Sequence, residues 1–168
     1  MTKREIYLVL DNIRSRENVG SIFRTADATG VKSIYLCGIT PTPPHEKISK
    51  TALGAETFVF WEYHKQTWRL LKNLSKDGVY IVALEQTKDS VNIFSAKGGS
   101  ASGGKFKLKF SPVGKRVRLA LILGNEITGL SPQILKYCDE RIHIPMRGKK
   151  ESLNVGVAAG IALYELIK

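Results

Sequence analysis

Short apolar runs alternate with amphipathic segments along almost the whole chain. Six runs rich in β-branched and aromatic residues predict strands at residues 6–10, 33–37, 57–61, 79–84, 117–123 and 141–144. Segments with helical spacing predict helices at residues 18–29, 46–52, 64–76, 132–137 and 152–167. Several strand runs are apolar without interruption, as is typical of parallel strands that are buried on both faces. The pattern therefore predicts an α/β fold, with a mostly parallel sheet flanked by helices.

Glycine and proline mark the boundaries of these elements. Gly30, Gly54 and Gly78 stand where three of the helices are expected to end. Residues 40–44 hold three prolines and predict a stiff surface connection, and the glycine-rich residues 97–105 predict a flexible loop. That loop is too short to separate two domains, so we expect a single domain over residues 1–168.

The composition is that of a globular protein, with 43% hydrophobic and 24% charged residues. No stretch approaches the ~20 apolar residues that a membrane span requires, and the first apolar run is too short for a signal peptide. Cys37 and Cys138 are far apart and belong to no metal-binding pattern, which fits a reducing compartment. We expect a cytoplasmic protein with neither a metal site nor a membrane anchor.

The chain is strongly basic, with 26 Lys and Arg against 15 Asp and Glu, a formal net charge of +11. The segment from residue 97 to residue 118 contains no acidic residue. Its basic residues are Lys97, Lys105, Lys107, Lys109, Lys115, Arg116 and Arg118. Smaller basic groups lie at residues 14–16 and 147–150. Such clusters are either solvated faces that keep the protein soluble or contacts for the phosphates of a nucleic acid.

Two nucleotide-binding patterns are excluded. Residues 99–105 have the spacing G-x-x-x-x-G-K, but Phe106 follows and opens a strand-like alternation. A phosphate-binding loop needs a hydroxyl side chain there and the start of a helix. The chain also lacks the G-x-G-x-x-G fingerprint of dinucleotide binding.

Three polar segments follow predicted strands, the position where α/β proteins place ligand groups. The first, residues 12–28, contains Asn18 and Arg24; they either point to the same end of the sheet or are a helix cap and a surface side chain. In the second, Gly124 ends a buried strand, so that the backbone can approach a ligand, and Glu126 follows two residues later.

The third segment, residues 142–160, leads into the last predicted helix. Ser152 is the expected cap of this helix, whose N-terminal amides favour an anionic group. Gly156, Ala159 and Gly160 remove bulk from the helix, which indicates that another backbone packs closely against it.

Together and in this order, the strings N-V-G-S-I-F-R-T-A-D-A, L-G-N-E-I-T-G-L-S and I-P-M…E-S-L-N-V-G-V-A resemble the three motifs of the SpoU/TrmH-type RNA ribose 2′-O-methyltransferases, members of the SPOUT superfamily. The resemblance covers essentially the whole chain. It implies a C-terminal deep trefoil knot, a homodimer with active sites near the interface, and S-adenosyl-L-methionine as methyl donor for a ribose hydroxyl in tRNA or rRNA. The alternative is a catalytically inactive, basic RNA-binding module with the same fold.

The resemblance also assigns residues to roles. The expected catalytic residues are Asn18, Arg24, Glu126, Ser152 and Asn154. The expected cofactor-binding residues are Leu84, Gly124, Ile144, Met146, Ser152 and Leu153. From the basic clusters, the expected RNA contacts are Arg14, Arg16, Lys105, Lys107, Lys109, Arg147, Lys149 and Lys150.

Two features refine these expectations. We expect no separate RNA-binding domain of the kind that several family members carry, which leaves the RNA target open. Arg24 corresponds to the key catalytic residue, and because a guanidinium stays protonated in proteins, we expect it to clamp a phosphate and stabilise a developing alkoxide rather than act as a base.

Overall fold

The computed structural model describes residues 4–95 and 117–168. The strands are β1 (Glu5–Asp11), β2 (Ser33–Cys37), β3 (Trp61–His64), β4 (Tyr80–Leu84), β5 (Val91–Asn92), β6 (Arg118–Leu123) and β7 (Glu140–His143). The helices are α1 (Arg16–Thr29), α2 (Glu46–Ala52), α3 (Ala55–Phe58), α4 (Thr67–Lys76), α5 (Pro132–Leu135) and α6 (Val155–Leu166).

The strands form one sheet in the order β3-β2-β1-β6-β4-β7-β5. Every pairing between these strands is parallel, and β1 is hydrogen-bonded to β2 on one side and to β6 on the other. All strands of the sheet therefore end at the same edge, where the loops after β1, β4, β6 and β7 meet. The predicted α/β class with a parallel sheet is confirmed, and the trefoil knot stays a prediction from the family resemblance.

The two faces of the sheet are covered by different helices. Leu8 and Leu10 of β1 belong to a core shared with α1, α2, α3 and α6. Tyr7 and Val9 point to the other face, where α4 and α5 supply the apolar side chains. This alternation along a central strand produces the two-sided burial that the uninterrupted apolar runs predicted.

Helix α1 is held between α2 and α6 by close contacts at small residues. A Cβ atom on Gly20 would lie 2.3 Å from the carbonyl oxygen of Ile48 in α2, so only glycine allows this approach. On the other side, a Cβ on Gly156 would lie 3.3 Å from Oγ of Ser21, and one on Gly160 would lie 3.7 Å from Thr25. The small residues of the last helix thus serve its packing against α1.

Two predicted element starts are wrong, for local reasons. The strand predicted at 57–61 is instead the short helix α3, and β3 begins only at Trp61; Phe58 and Phe60 remain 78% and 60% exposed, so their β propensity is not used in the sheet. The last helix begins at Val155 and not at residue 152, because Asn154, rather than Ser152, accepts hydrogen bonds from the first free amides.

Other element boundaries also differ from the prediction. The helix predicted at 64–76 begins at Thr67, since His64 still pairs with Cys37 in the sheet. Helix α2 ends with Leu53 in the left-handed conformation instead of at Gly54, whereas Gly30 ends α1 as expected. The two-residue strand β5 was not predicted, since its pattern is too short to detect.

The glycine-rich loop expected at 97–105 lies outside the described residues. Among the helices in the two described ranges, none has the length and apolar content to cross a bilayer.

Candidate active site

A cavity of about 580 Å³ opens where β4, β6 and β7 end. Its walls include all six residues predicted to bind the cofactor: Leu84, Gly124, Ile144, Met146, Ser152 and Leu153. They come from three loops and from the segment before α6, which the parallel sheet brings to one edge. Its volume lies in the range of ~300–1,000 Å³ that small-molecule sites occupy.

The lining of this cavity suits a ligand with apolar and polar parts. Leu123 and Ile144 are apolar, whereas Glu85 and Asn125 are polar. The carboxylate of Glu85 accepts a hydrogen bond of 2.8 Å from the backbone N–H of Leu130 and is thus engaged in holding the loop. The other polar side chains of the lining are those of Gln86, Glu126, His143, Glu151 and Ser152. Polar side chains and main-chain groups at the strand ends can hydrogen-bond an adenine or an amino acid moiety.

The loop that follows β6, residues 124–130, is packed tightly against itself. A Cβ atom on Gly124 would lie 2.6 Å from the backbone of Gly129 and Leu130, so the predicted close approach at Gly124 is made first to the protein's own loop. Asn125 accepts hydrogen bonds from Ile127 and Thr128, and its amide donates to the carbonyl of Asn12 over 2.9 Å. The loop is therefore tied to the loop after β1.

Three of the predicted catalytic residues form one hydrogen-bonded network. The carboxylate of Glu126 accepts from the backbone N–H of Arg14 (3.0 Å) and of Ser15 (3.1 Å). The side-chain amide of Asn18 donates to Glu126 over 3.2 Å, and its carbonyl oxygen accepts from the amide of Asn154 over 2.9 Å. The oxygen of Asn154 in turn accepts from the backbone N–H of Gly156, so the network ends at the start of α6.

This network joins the three motif segments and sets the charge of Glu126. Partial burial raises the pKa of the carboxyl, but the hydrogen bonds from Arg14, Ser15 and Asn18 outweigh it, so that the pKa of Glu126 lies below its ordinary value. Glu126 is thus held as a carboxylate beside the cavity. Asn18 is not the helix cap, since Ser15 caps α1 by accepting from the Asn18 N–H at 3.1 Å.

The other two predicted catalytic residues are placed differently. Ser152 lines the cavity, whereas Arg24 does not. Arg24 is exposed on α1, and within the described residues it has no hydrogen-bond or ion-pair partner. It lies three residues after Ser21 and one before Thr25, the two side chains that face α6, so its guanidinium belongs to the solvent edge of the α1–α6 pair.

Five of the predicted RNA contacts are exposed around the cavity entrance. Arg14 precedes α1, Arg16 is its first residue, and Arg147, Lys149 and Lys150 lie between cavity residues Met146 and Glu151. Lys105, Lys107 and Lys109 lie outside the described residues, so their contacts stay a prediction.

Sequence reasoning missed several residues of the site. Glu85 and Asn125 orient the loop walls but were not singled out, although each is adjacent to a predicted residue, Leu84 and Glu126. Their position directly after a buried strand is the signal that could have found them.

Comparisons with known proteins give one consistent result. The model of the SpoU rRNA Methylase family matches residues 5–164. A tRNA (guanosine(18)-2′-O)-methyltransferase of Aquifex aeolicus is 33% identical over 97% of the chain. The chain spans 69% of that protein and 59% of the length of several curated 23S rRNA (guanosine-2′-O-)-methyltransferases that it matches.

Two solved structures have the same fold. The A. aeolicus TrmH/SpoU tRNA modifying enzyme is 30% identical, with a TM-score of 0.76 over 98% of this chain and 75% of that one. An AdoMet-bound rRNA methyltransferase from Sinorhizobium meliloti is 26% identical, with a TM-score of 0.78 over 97% of this chain and 56% of that one.

Proposed function

Because the chain belongs to the SpoU rRNA Methylase family, we propose that it is an S-adenosylmethionine-dependent methyltransferase that methylates a ribose 2′-hydroxyl in tRNA or rRNA. The observation that carries the proposal is the cavity at the end of β4, β6 and β7, which gathers all six predicted cofactor residues beside the Glu126 network. The relatives include enzymes named for tRNA and for 23S rRNA, so the proposal covers both RNAs.

The cavity fits the methyl donor in chemistry as well as in size. Leu84, Ile144, Met146 and Leu153 would enclose the adenine and the methionine chain, and Ser152 would add a hydroxyl. When bound, S-adenosylmethionine supplies a methyl group on a sulfonium, which is already a good leaving group.

Arg24 is the residue proposed to act on the RNA. Methylation requires the 2′-hydroxyl to be positioned and to lose its proton, and a fixed cation lowers the energy of the alkoxide that develops. The guanidinium of Arg24 stays protonated, so it clamps the adjacent phosphate and stabilises the alkoxide, while the proton leaves to phosphate or water.

Glu126, Asn18 and Asn154 are positioning residues in this mechanism. Their hydrogen bonds fix the loop after β1, the loop after β6 and the start of α6 relative to one another. A site held by such a network keeps its geometry when the substrate arrives, which is the condition for efficient catalysis by orientation.

A homodimer is part of the proposal. Arg24 does not line the cavity of its own chain, and its helix pair carries exposed apolar residues: Val157 and Tyr164 are each 53% exposed, and Ile167 is 40% exposed. Pairing of two copies through α1 and α6 would cover these side chains and bring Arg24 close to the partner's cavity. We also propose a cytoplasmic location, since tRNA and rRNA are present there.

The experiment is methyl transfer from radiolabelled S-adenosylmethionine to total tRNA and to rRNA, followed by mapping of ribose methylation. Transfer to a 2′-hydroxyl supports the proposal, and calorimetry with S-adenosylmethionine gives an independent reading of the cavity. RNA binding without micromolar cofactor binding or transfer would instead support the inactive RNA-binding module.

A further inference from the structure

A second cavity, of about 650 Å³, lies on the other side of the loop after β6. Asn125 and Gly129 line both cavities, so this loop is a shared wall. The second cavity is formed where β1 ends and where α4 and α5 begin, and the methyl-transfer mechanism uses none of its own side chains. Its size is sufficient for a nucleotide.

A buried carboxylate with a free oxygen lies in this cavity. Asp11 is the last residue of β1 and is only 5% exposed. Its Oδ1 accepts hydrogen bonds from the hydroxyl of Thr67 and from the amide of Asn12 (3.3 Å). Its Oδ2 accepts no hydrogen bond from any described residue, although Asp11 lines the cavity. This oxygen is not a buried unsatisfied atom but is accessible from the cavity, so it can accept a hydrogen bond from a ligand.

The rest of the lining supports a flat, polar ligand. Trp68, half-buried, contributes an indole to the wall, and the guanidinium of Arg69 lies over this ring, 5.2 Å from its centroid. A nucleobase would therefore stack on the face of the indole away from Arg69. Gln66 and Gln133 are exposed amides that can pair with a base edge. Lys65 brings a positive charge to the rim. The side chain of Gln66 does not cap α4, and the N–H of Arg69 donates to the carbonyl of Gln66, so the N–H groups of Thr67 and Trp68 are the first amides of α4 that a phosphate could use.

A metal ion fits this lining poorly. Asp11 is the one acidic side chain among the residues that line the second cavity, and Lys65 lies in the same wall. Hard cations need several oxygen ligands, whereas a single carboxylate oxygen next to an indole is suited to one N–H donor.

We propose that this second cavity binds an unpaired base of the RNA, adjacent to the methylated nucleotide, and that Asp11 Oδ2 accepts a hydrogen bond from an exocyclic amino group of that base. The inference rests on the proposed function for the identity of the polymer, but not for the chemistry of the cavity. A carboxylate oxygen at this position favours cytosine, adenine or guanine over uracil, because uracil carries no exocyclic amino group. The base is held across the shared loop from the first cavity, which orders the RNA chain next to the methyl donor.

The test measures base preference by binding alone. The chain has two tryptophans, so in a Trp61→Phe background the fluorescence reports Trp68. Single-stranded oligo(C) and oligo(U) of ten nucleotides are titrated at fixed salt, and stacking on the indole quenches the emission. We expect oligo(C) to bind about tenfold more tightly than oligo(U).

The variant Asp11→Asn separates recognition from folding. It keeps an oxygen that can accept from Thr67 but replaces the free acceptor with a donor. The ratio of the affinity for oligo(C) to that for oligo(U) should therefore fall to one or below. Asp27→Asn, at an exposed aspartate of α1, is the matched control and should keep the preference. Trp68→Leu should weaken both oligonucleotides and remains informative if the Asp11 variant does not fold.

Two results would overturn the inference. One is equal affinity for oligo(C) and oligo(U) in the parent protein, and the other is an unchanged preference in Asp11→Asn. Methyl transfer to RNA is assayed separately. If the protein methylates RNA but shows no preference for oligo(C), the inference about the second cavity is wrong and the proposed function stands.

Discussion

The two cavities at the carboxyl edge of the sheet are neighbours, but their residues come from differently organised parts of the chain. The first is lined by segments that the sequence motifs mark, with residues such as Gly124 and Met146. The second is lined by residues from widely separated parts of the chain, among them Asp11, Gln66 and Gln133. In our two proposals, the first cavity holds the methyl donor and the second binds a base of the RNA.

The loop after β6 connects the two regions. On one side its Leu130 N–H donates to Glu85, and on the other Asn125 donates to the carbonyl of Asn12. A displacement of this loop therefore changes both cavities at once, whereas a change in one lining leaves the other intact. Substitutions in the loop and in each lining therefore test whether the two cavities act independently.

The largest effect is expected at Arg24, which belongs to neither lining. Arg24→Lys should lower the methyl-transfer rate in single turnover by about 10²–10³-fold, the usual cost of removing an oriented donor that stabilises transition-state charge. The affinity for S-adenosylmethionine, measured by calorimetry, should stay unchanged because Arg24 does not line its cavity. Arg141→Lys is the matched control, because Arg141 pairs with Asp89 and lines neither cavity. An undiminished rate in Arg24→Lys would remove Arg24 from catalysis.

The next largest effect is expected at the wall between the cavities. Gly124→Ala would place a methyl group 2.6 Å from the backbone of Gly129 and Leu130, so the loop must shift. We expect the free energy of unfolding to fall by about 1–3 kcal/mol, as for other overpacked sites, together with loss of cofactor affinity. Gly148→Ala is the control, since a Cβ there meets no atom within 4 Å. Equal unfolding free energies in urea titrations would contradict the tight loop.

The first region could be predicted from the sequence to a large extent, for a physical reason. Its residues lie in short contiguous strings directly after apolar strands, and a parallel sheet brings such strand ends to one edge. The strings before α6 and after β6 therefore pointed to one site. The assignment of Ser152 as helix cap failed because both Ser152 and Asn154 are good capping residues, and only the backbone decides which of them precedes the first helical turn.

The second region left no such signal. Asp11 and Thr67 are 56 positions apart, and their contact depends on the order of β1, β2 and β3 in the sheet, which local patterns do not encode. The strand predicted at residues 57–61 was wrong for a related reason. Phe58 has a high β propensity but lies in a helical turn. Contacts set by topology could not be predicted from the local pattern.

A smaller effect is expected at Glu126, which supports the first cavity from outside. In Glu126→Gln, one carbonyl oxygen replaces a carboxylate that accepted from two backbone amides and from Asn18. We expect the free energy of unfolding at pH 7 to fall by about 1 kcal/mol, a value that allows for solvent screening. Glu151→Gln, a cavity-lining control without a hydrogen bond among the described residues, should change stability by less than about 0.5 kcal/mol.

The pH dependence of the Glu126 effect has a defined sign. The folded state holds the pKa of Glu126 below the ordinary value of 4.5, so its stabilising contribution is complete above that pH and is lost as the pH falls through the folded-state pKa. The difference between the parent and Glu126→Gln should therefore shrink in urea titrations below about pH 4.5. A difference that is independent of pH would show that the carboxylate charge is not involved.

The smallest effect is expected at Asp11, and its sign is opposite. Burial raises the pKa of Asp11 above the ordinary value of 3.8, even though Thr67 and Asn12 donate to it. A raised pKa means that the folded state favours the protonated acid, so its contribution is complete below pH 3.8 and is lost as the pH rises through the folded-state pKa. Asp11→Asn should thus increase the free energy of unfolding at pH 7 and lose this advantage in acid. A carboxylate that serves binding is expected to lower the stability of the protein at neutral pH. If urea titrations at pH 7 show that Asp11→Asn is destabilising, Asp11 is instead a structural residue of the loop after β1.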